Sequence, residues 1–175
     1  MTEKNILALD ASTKRTGYAI KSCGNYLCGA IASASTKVER RLITMREEIK
    51  KLVKDYNIDI VVIEDVRPDN LNAHTAKILT WLQGIIAVVA YEVNPNIIFE
   101  MIGASSWRKT LGLQHYGVKR DRYKELDIEY ANNCGFPLSE PLTATQDDEA
   151  DAICILNAFL IEQTKTPTNE RESAF

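Results

Sequence analysis

Ile58-Asp59-Ile60-Val61-Val62-Ile63-Glu64 is the stretch on which the fold turns. β-Branched residues follow one another almost without a break, the pattern of a strand buried on both faces, as in the middle of a parallel sheet. The run ends on a carboxylate, and Arg67-Pro68-Asp69-Asn70 reads as the loop beyond it. A second apolar run near the start of the chain, Ile6-Leu7-Ala8-Leu9-Asp10, also ends on an acid. Turn-prone Ser12-Thr13-Lys14-Arg15 separates it from β-type sequence over 16–20. Gly24-Asn25 marks another turn before a strand over 26–34. These segments predict three antiparallel strands joined by hairpins.

Between the two acid-ended runs the period changes. Val38, Leu42, Met45, Ile49, Leu52 and Val53 recur at three- and four-residue steps, so 36–56 is expected to be a helix with its charges on a solvated face. After the central strand, 74–93 reads as a helix with apolar residues on more than one side. It is either sandwiched inside the fold or shared with a second copy as a dimer interface. A further strand is expected over 96–102, a polar basic segment from Ser105-Ser106-Trp107, and a helix over 123–132. A break follows at Gly135-Phe136-Pro137, and then an apolar helix over 148–163 that begins in acid. Residues 1–163 are read as one α/β domain and 164–175 as a polar, flexible tail.

The composition is that of a globular protein: 175 residues, 45% hydrophobic and 26% charged. No run of 18 or more wholly apolar residues occurs, which argues against a membrane span, and the first residues do not form a secretory signal. The four cysteines (Cys23, Cys28, Cys134, Cys154) are scattered without a C-x-x-C pair, which fits reduced thiols and a cytoplasmic location. The net charge of −3 hides its distribution. Arg108, Lys109, Lys119, Arg120, Arg122 and Lys124 cluster in one segment, whereas acids gather at Asp147-Asp148-Glu149-Ala150-Asp151.

The acids carry the chemistry. Asp10 and Glu64 stand at the C-terminal ends of expected strands, the edge where open α/β sheets form their ligand sites. Asp148 and Asp151, three apart on a helix, project from one face, while Asp147 and Glu149 point elsewhere and Asp65 alternates away from Glu64. Singly, an Asp can cap a turn or open a helix. Together, four convergent carboxylates repel one another unless cations join them. Oxygen-only ligands favour Mg²⁺ or Mn²⁺ over zinc, and two such ions about 4 Å apart would drive an in-line phosphodiester cut.

With those motifs in hand, the chain resembles the RuvC-type Holliday junction resolvases of the RNase H-like superfamily. The resemblance lies in Leu7-Ala8-Leu9-Asp10-Ala11-Ser12-Thr13-Lys14-Arg15-Thr16-Gly17-Tyr18-Ala19, in Val61-Val62-Ile63-Glu64 and in Asp148-Glu149-Ala150-Asp151-Ala152. The helix through Lys77-Ile78-Leu79 and Gln83-Gly84 also resembles the helix by which family members dimerise. Ala11-Ser12 and Trp107-Arg108-Lys109 look most like phage or prophage members. The resemblance implies a mixed five-stranded sheet flanked by helices, a homodimer through 74–93, and four-way or otherwise branched DNA as substrate. It implies Asp10, Glu64, Asp148 and Asp151 as ligands of two Mg²⁺ ions, and a lysine near the scissile phosphate. Lys119 and Lys124 both fit that role, Lys124 slightly better. Arg67 would grip phosphate or stack on a base, and Arg108, Lys109, Lys119, Arg120 and Arg122 would contact the DNA backbone. Trp107 reads as a stacking residue or a core anchor. The competing readings are an RNase H-like nuclease acting on structured RNA, a non-catalytic junction-binding module, and an ATP-binding protein of the same core fold, for which one domain is too few.

Overall fold

The computed structural model describes residues 3–66, 72–115, 117 and 119–165, with the backbone alone for Arg120. Arg67 and residues 166–175, among those singled out above, lie outside the described residues. Five strands make one sheet in the order β3-β2-β1-β4-β5. β1 (Ile6–Asp10), β2 (Arg15–Ser22) and β3 (Asn25–Ala32) are antiparallel neighbours, while β4 (Ile60–Glu64) and β5 (Ile98–Ile102) run parallel to β1. This is the mixed five-stranded, RNase H-like sheet expected from the sequence. The hairpin between β2 and β3 turns on Cys23 and Gly24, whose φ values of 50° and 77° suit the right-handed twist of the ribbon.

The alternation of side chains along β1 and β4 builds two cores from the same strands. Leu7, Leu9, Val61 and Ile63 face α1 (Val38–Asp55) and α2 (Ala73–Val93), packing against Met45, Ile49, Leu82, Ile86 and Val89. Ile6, Ala8, Ile60 and Val62 face the opposite way, against Ala152, Ile153, Leu156 and Phe159 of α5 (Asp147–Lys165). α3 (Ala104–Thr110) and α4 (Arg120–Asn133) complete that second layer, α3 where the sequence suggested only a polar basic segment. Its seven residues are too few for periodicity to announce a helix. α5 continues to Lys165, two residues past the expected domain boundary.

α2 has the length and apolar composition of a membrane span. Its charged residues Lys77 and Glu92 lie toward its two ends, and Thr80 and Gln83 interrupt the apolar sequence between them. Its inner stripe, Leu82, Ile86, Val89 and Ala90, is buried against the sheet, and its outer stripe leaves Trp81, Val88 and Tyr91 exposed. The helix is thus covered on its inner side and open on its outer side.

Candidate active site

Strand register brings the first two acids together. β1 pairs with β4 from Ile6 and Ile60 through Leu9 and Ile63, and one further step sets Asp10 beside Glu64. Both continue the face of Ala8 and Val62, so both project toward α5, and Asp65 falls on the other side. On its other flank Asp10 pairs with Gly17 of β2. A Cβ on Gly17 would stand 1.9 Å from the carbonyl oxygen of Asp148 and 2.8 Å from the amide nitrogen of Glu149. The first turn of α5 thus rests directly on bare backbone, and this close approach seats Asp148 and Asp151 over the ends of the strands.

The loop leaving Asp10 is pinned from two sides. Thr16 Oγ1 donates to the Ser12 carbonyl (2.5 Å) and accepts from the Ser12 amide (3.1 Å). Arg41 reaches across from α1, where the charges were expected to be solvated. It is buried, with Nε donating to Thr13 Oγ1 (3.2 Å) and Nη1 to the carbonyls of Ser35 and Thr36. A guanidinium with all these acceptors supplied can be buried without an unmet donor at those atoms.

Electrostatics ties the four acids into one group. Asp10 keeps part of its surface open. Even so, desolvation first, then Glu64, Asp148 and Asp147, raise its carboxyl well above the usual range, with Arg108 opposing. Asp151 is likewise raised well above that range, by burial and then by Asp10 and Asp127. Half-buried Asp148 is raised by burial and Asp147 and restrained by Arg15. Cations and donors of the protein already engage several of these groups. Trp107 Nε1 donates to Glu64 Oε2 at 2.8 Å. Arg15 lies 3.0 Å from Asp148 Oδ2 and 2.5 Å from Glu149 Oε1, and Lys124 Nζ pairs with Asp147.

Among the described residues, no three Asp, Glu, His or Cys side chains stand close enough to enclose an ion as they are. The donors nonetheless fit a hard divalent cation in kind. They are carboxylate oxygens that raise one another's pKa, and the buried Asp151 Oδ1 has no hydrogen-bond partner.

The other residues singled out in the sequence divide into two sets. Lys109 and Lys119 are exposed, and exposed Arg122 pairs with Glu125 at 2.6 Å. Lys124 stands at the edge of the acid group through its pairing with Asp147. Arg108 is turned inward rather than toward an open surface, 2.8 Å from Asp127 and stacked 4.1 Å from the Trp107 ring centroid and 5.0 Å from that of Tyr123. Trp107 is fully buried, so of its two readings the core anchor holds, with a polar duty added by its bond to Glu64. Sequence reasoning missed Arg15, Glu149 and Asp127. The signal for Asp127 was present: it interrupts the stripe Tyr123, Tyr130, Ala131, Cys134 along one side of α4.

Three comparisons bear on this arrangement. The sequence model described as "Crossover junction endodeoxyribonuclease RuvC" matches residues 6–111. No curated protein sequence matches the chain. Among solved structures, Thermus thermophilus RuvC in complex with a Holliday junction substrate superposes with a TM-score of 0.69 at 11% identity, over 93% of this chain and 96% of that one. A second structure of Thermus thermophilus RuvC gives 0.69 at 14% identity, over 92% and 96%. The yeast mitochondrial Holliday junction resolvase Ydc2 gives 0.54 at 12%, over 93% and 80%. At such identities the superpositions speak for the fold, and the sequence match speaks for the family. The chain belongs to the RuvC family of crossover junction endodeoxyribonucleases.

Proposed function

We propose that this junction-resolving nuclease cuts branched DNA at a site where Asp10, Glu64, Asp148 and Asp151 hold two Mg²⁺ ions, with Mn²⁺ able to substitute. The observation that carries the reading is the position of Asp10, flanked by Glu64 and by the first turn of α5, where burial first and then the neighbouring acids raise its carboxyl well above the usual range, a crowding that a bound cation would relieve. When bound, such ions polarise the scissile phosphate and lower the pKa of an attacking water. The protein's part is to hold four carboxylates from three elements against their mutual repulsion. Gly17 fixes the height of α5, Trp107 orients Glu64 through its indole N–H, and Arg15 steadies the opening of α5. Lys124, which pairs with Asp147, would meet the charge developing on the phosphate. Lys109, Lys119 and Arg122, with Arg67 and Arg120, supply the sequence-independent grip on the backbone.

A homodimer through α2 completes the reading. Trp81 and Val88 of that helix border an open groove of about 540 Å³ that also takes in Leu42 and Ile85, and Tyr91 and, on α1, Ile43 are exposed as well. Two copies joined there would present two sites to the two matching strands of a junction. Four free cysteines fit a reducing, cytoplasmic setting.

The test is cleavage of a synthetic four-way junction with Mg²⁺ and with EDTA, beside a structured RNA. Wild type is expected to nick the junction only with the metal and to spare the RNA. Asp10→Asn is expected to abolish nicking while still binding the junction. Metal-independent nicking, or preferential cutting of RNA, overturns the assignment.

A further inference from the structure

Behind the four acids lies a charged pair that the proposed metal site does not itself use. Asp127, in the middle of α4, is fully buried, and its Oδ2 accepts from both Nε (3.3 Å) and Nη2 (2.8 Å) of Arg108. The guanidinium is held between the Trp107 and Tyr123 rings, which fix its plane. Asp127 also neighbours Asp151 and helps to raise its carboxyl, and each of the two leaves its Oδ1 buried without a hydrogen-bond partner. Arg108 acts electrostatically on Asp127, Asp151, Glu64 and Asp10 alike, so it is the cation on the protein side of the group. Its neighbour Trp107 holds Glu64 by the indole bond. A chain of contacts therefore runs from Glu64 through Trp107 and Arg108 to Asp127 and Asp151.

We propose that Asp127 is a positioning residue for the metal site: it locks Arg108 against the floor of the site and so sets the orientation of Asp151 and, through Trp107, of Glu64. A buried carboxylate on an apolar stripe is costly and serves no packing purpose that Leu would not serve better. Here it supplies the outer partner that the metal-holding carboxylates need to keep one rotamer, and loss of such partners weakens metal binding by about 10- to 100-fold. The claim rests on the metal-site reading above, and the experiment separates the two.

Binding of Mn²⁺ to the full-length protein, followed by titration calorimetry without DNA, is the direct readout. Wild type is expected to bind, and Asp10→Asn to lose binding. Asp127→Asn, close in shape but stripped of its charge, is expected to bind about tenfold or more weakly. Junction binding in EDTA should stay unchanged. Arg108→Lys keeps the charge but loses the fork and the stacking, and is expected to weaken Mn²⁺ binding similarly. The double variant should be no weaker than the worse single one, because the two side chains act as a unit. If Asp127→Asn fails to fold, the Arg108→Lys measurement decides alone. Wild-type Mn²⁺ affinity in Arg108→Lys, or in a folded Asp127→Asn that merely melts earlier, overturns the positioning role and leaves the metal site standing. Equal Mn²⁺ binding by wild type and Asp10→Asn would instead sink the metal-site reading itself.

Discussion

The two faces of the sheet are made by the same strands and have opposite characters. The face under α1 and α2 is filled by Leu7, Leu9, Val61, Ile63, Met45, Ile49, Leu82 and Ile86, large apolar side chains without a charge among them. The face under α5 also carries Ile6, Ile60 and Val62, but where the helix begins it is floored by Ala8, Ala19 and the bare backbone of Gly17, and its layer takes in Asp127, Glu149 and the guanidinium of Arg108. Large side chains hold a helix at ordinary packing distance, whereas small ones let α5 come down onto the strands. One face is built for cohesion. The other gives up packing volume so that a helix terminus can reach the strand ends.

The contrast can be broken most forcefully on the cohesive face. Ile86→Ala, at a fully buried position, is expected to cost about 2–5 kcal/mol in denaturant unfolding and to leave Mn²⁺ affinity unchanged in the protein that remains folded. On the opposite face Gly17→Ala is expected to cost less, about 1–3 kcal/mol, yet to weaken Mn²⁺ binding, because the added methyl must push Asp148 and Glu149 away from the strands. If both substitutions moved stability and metal affinity in the same proportion, the two faces would not be functionally distinct.

A third test sharpens the comparison through pH. Asp10 and Asp151 have native pKa values well above their unfolded ones, so the native state binds more protons than the unfolded chain between those values. Stability from these groups is therefore present at acid pH and is lost as pH rises through the raised values. In EDTA, Asp10→Asn is expected to raise the melting midpoint more at about pH 8 than at about pH 5. An equal gain at both would mean that charge repulsion is not what burdens the site. The smallest effect on the fold is expected from Trp81→Ser on the outer stripe of α2. It should change the stability of the single copy by no more than about 0.5 kcal/mol while shifting sedimentation toward the monomer.

Strand periods and acid-ended runs made the sheet legible before any coordinates. Ile6–Asp10 and Ile60–Glu64 stand inside the apolar runs that announced them, and Asp148 and Asp151 both lie on the helix that the sequence placed there. The supporting charges were not legible. Arg15 lies 134 residues from Glu149, and Arg108 lies 19 from Asp127, separations at which no local period connects the partners. Arg41 looked like one more solvated charge on α1 because only the fold shows that Thr13 and two carbonyls wait at its end. Asp127 left one trace, its interruption of the stripe Tyr123, Tyr130, Ala131 and Cys134, but its partner Arg108 left none.

α5 plays two parts at once, and this has a consequence for how the protein comes into being. The helix that roofs one side of the sheet also brings Asp148 and Asp151, and it lies at the far end of the described chain. During synthesis, Asp10 and Glu64 emerge long before the helix that completes both core and site. Until it docks, Ala8, Ala19 and Val62 lack the helix that covers them, and Asp10 and Glu64 stand without the acids of α5. With the site as proposed, cutting competence would arrive in the same step as structural completion, and a ribosome-bound fragment would carry no partly armed nuclease.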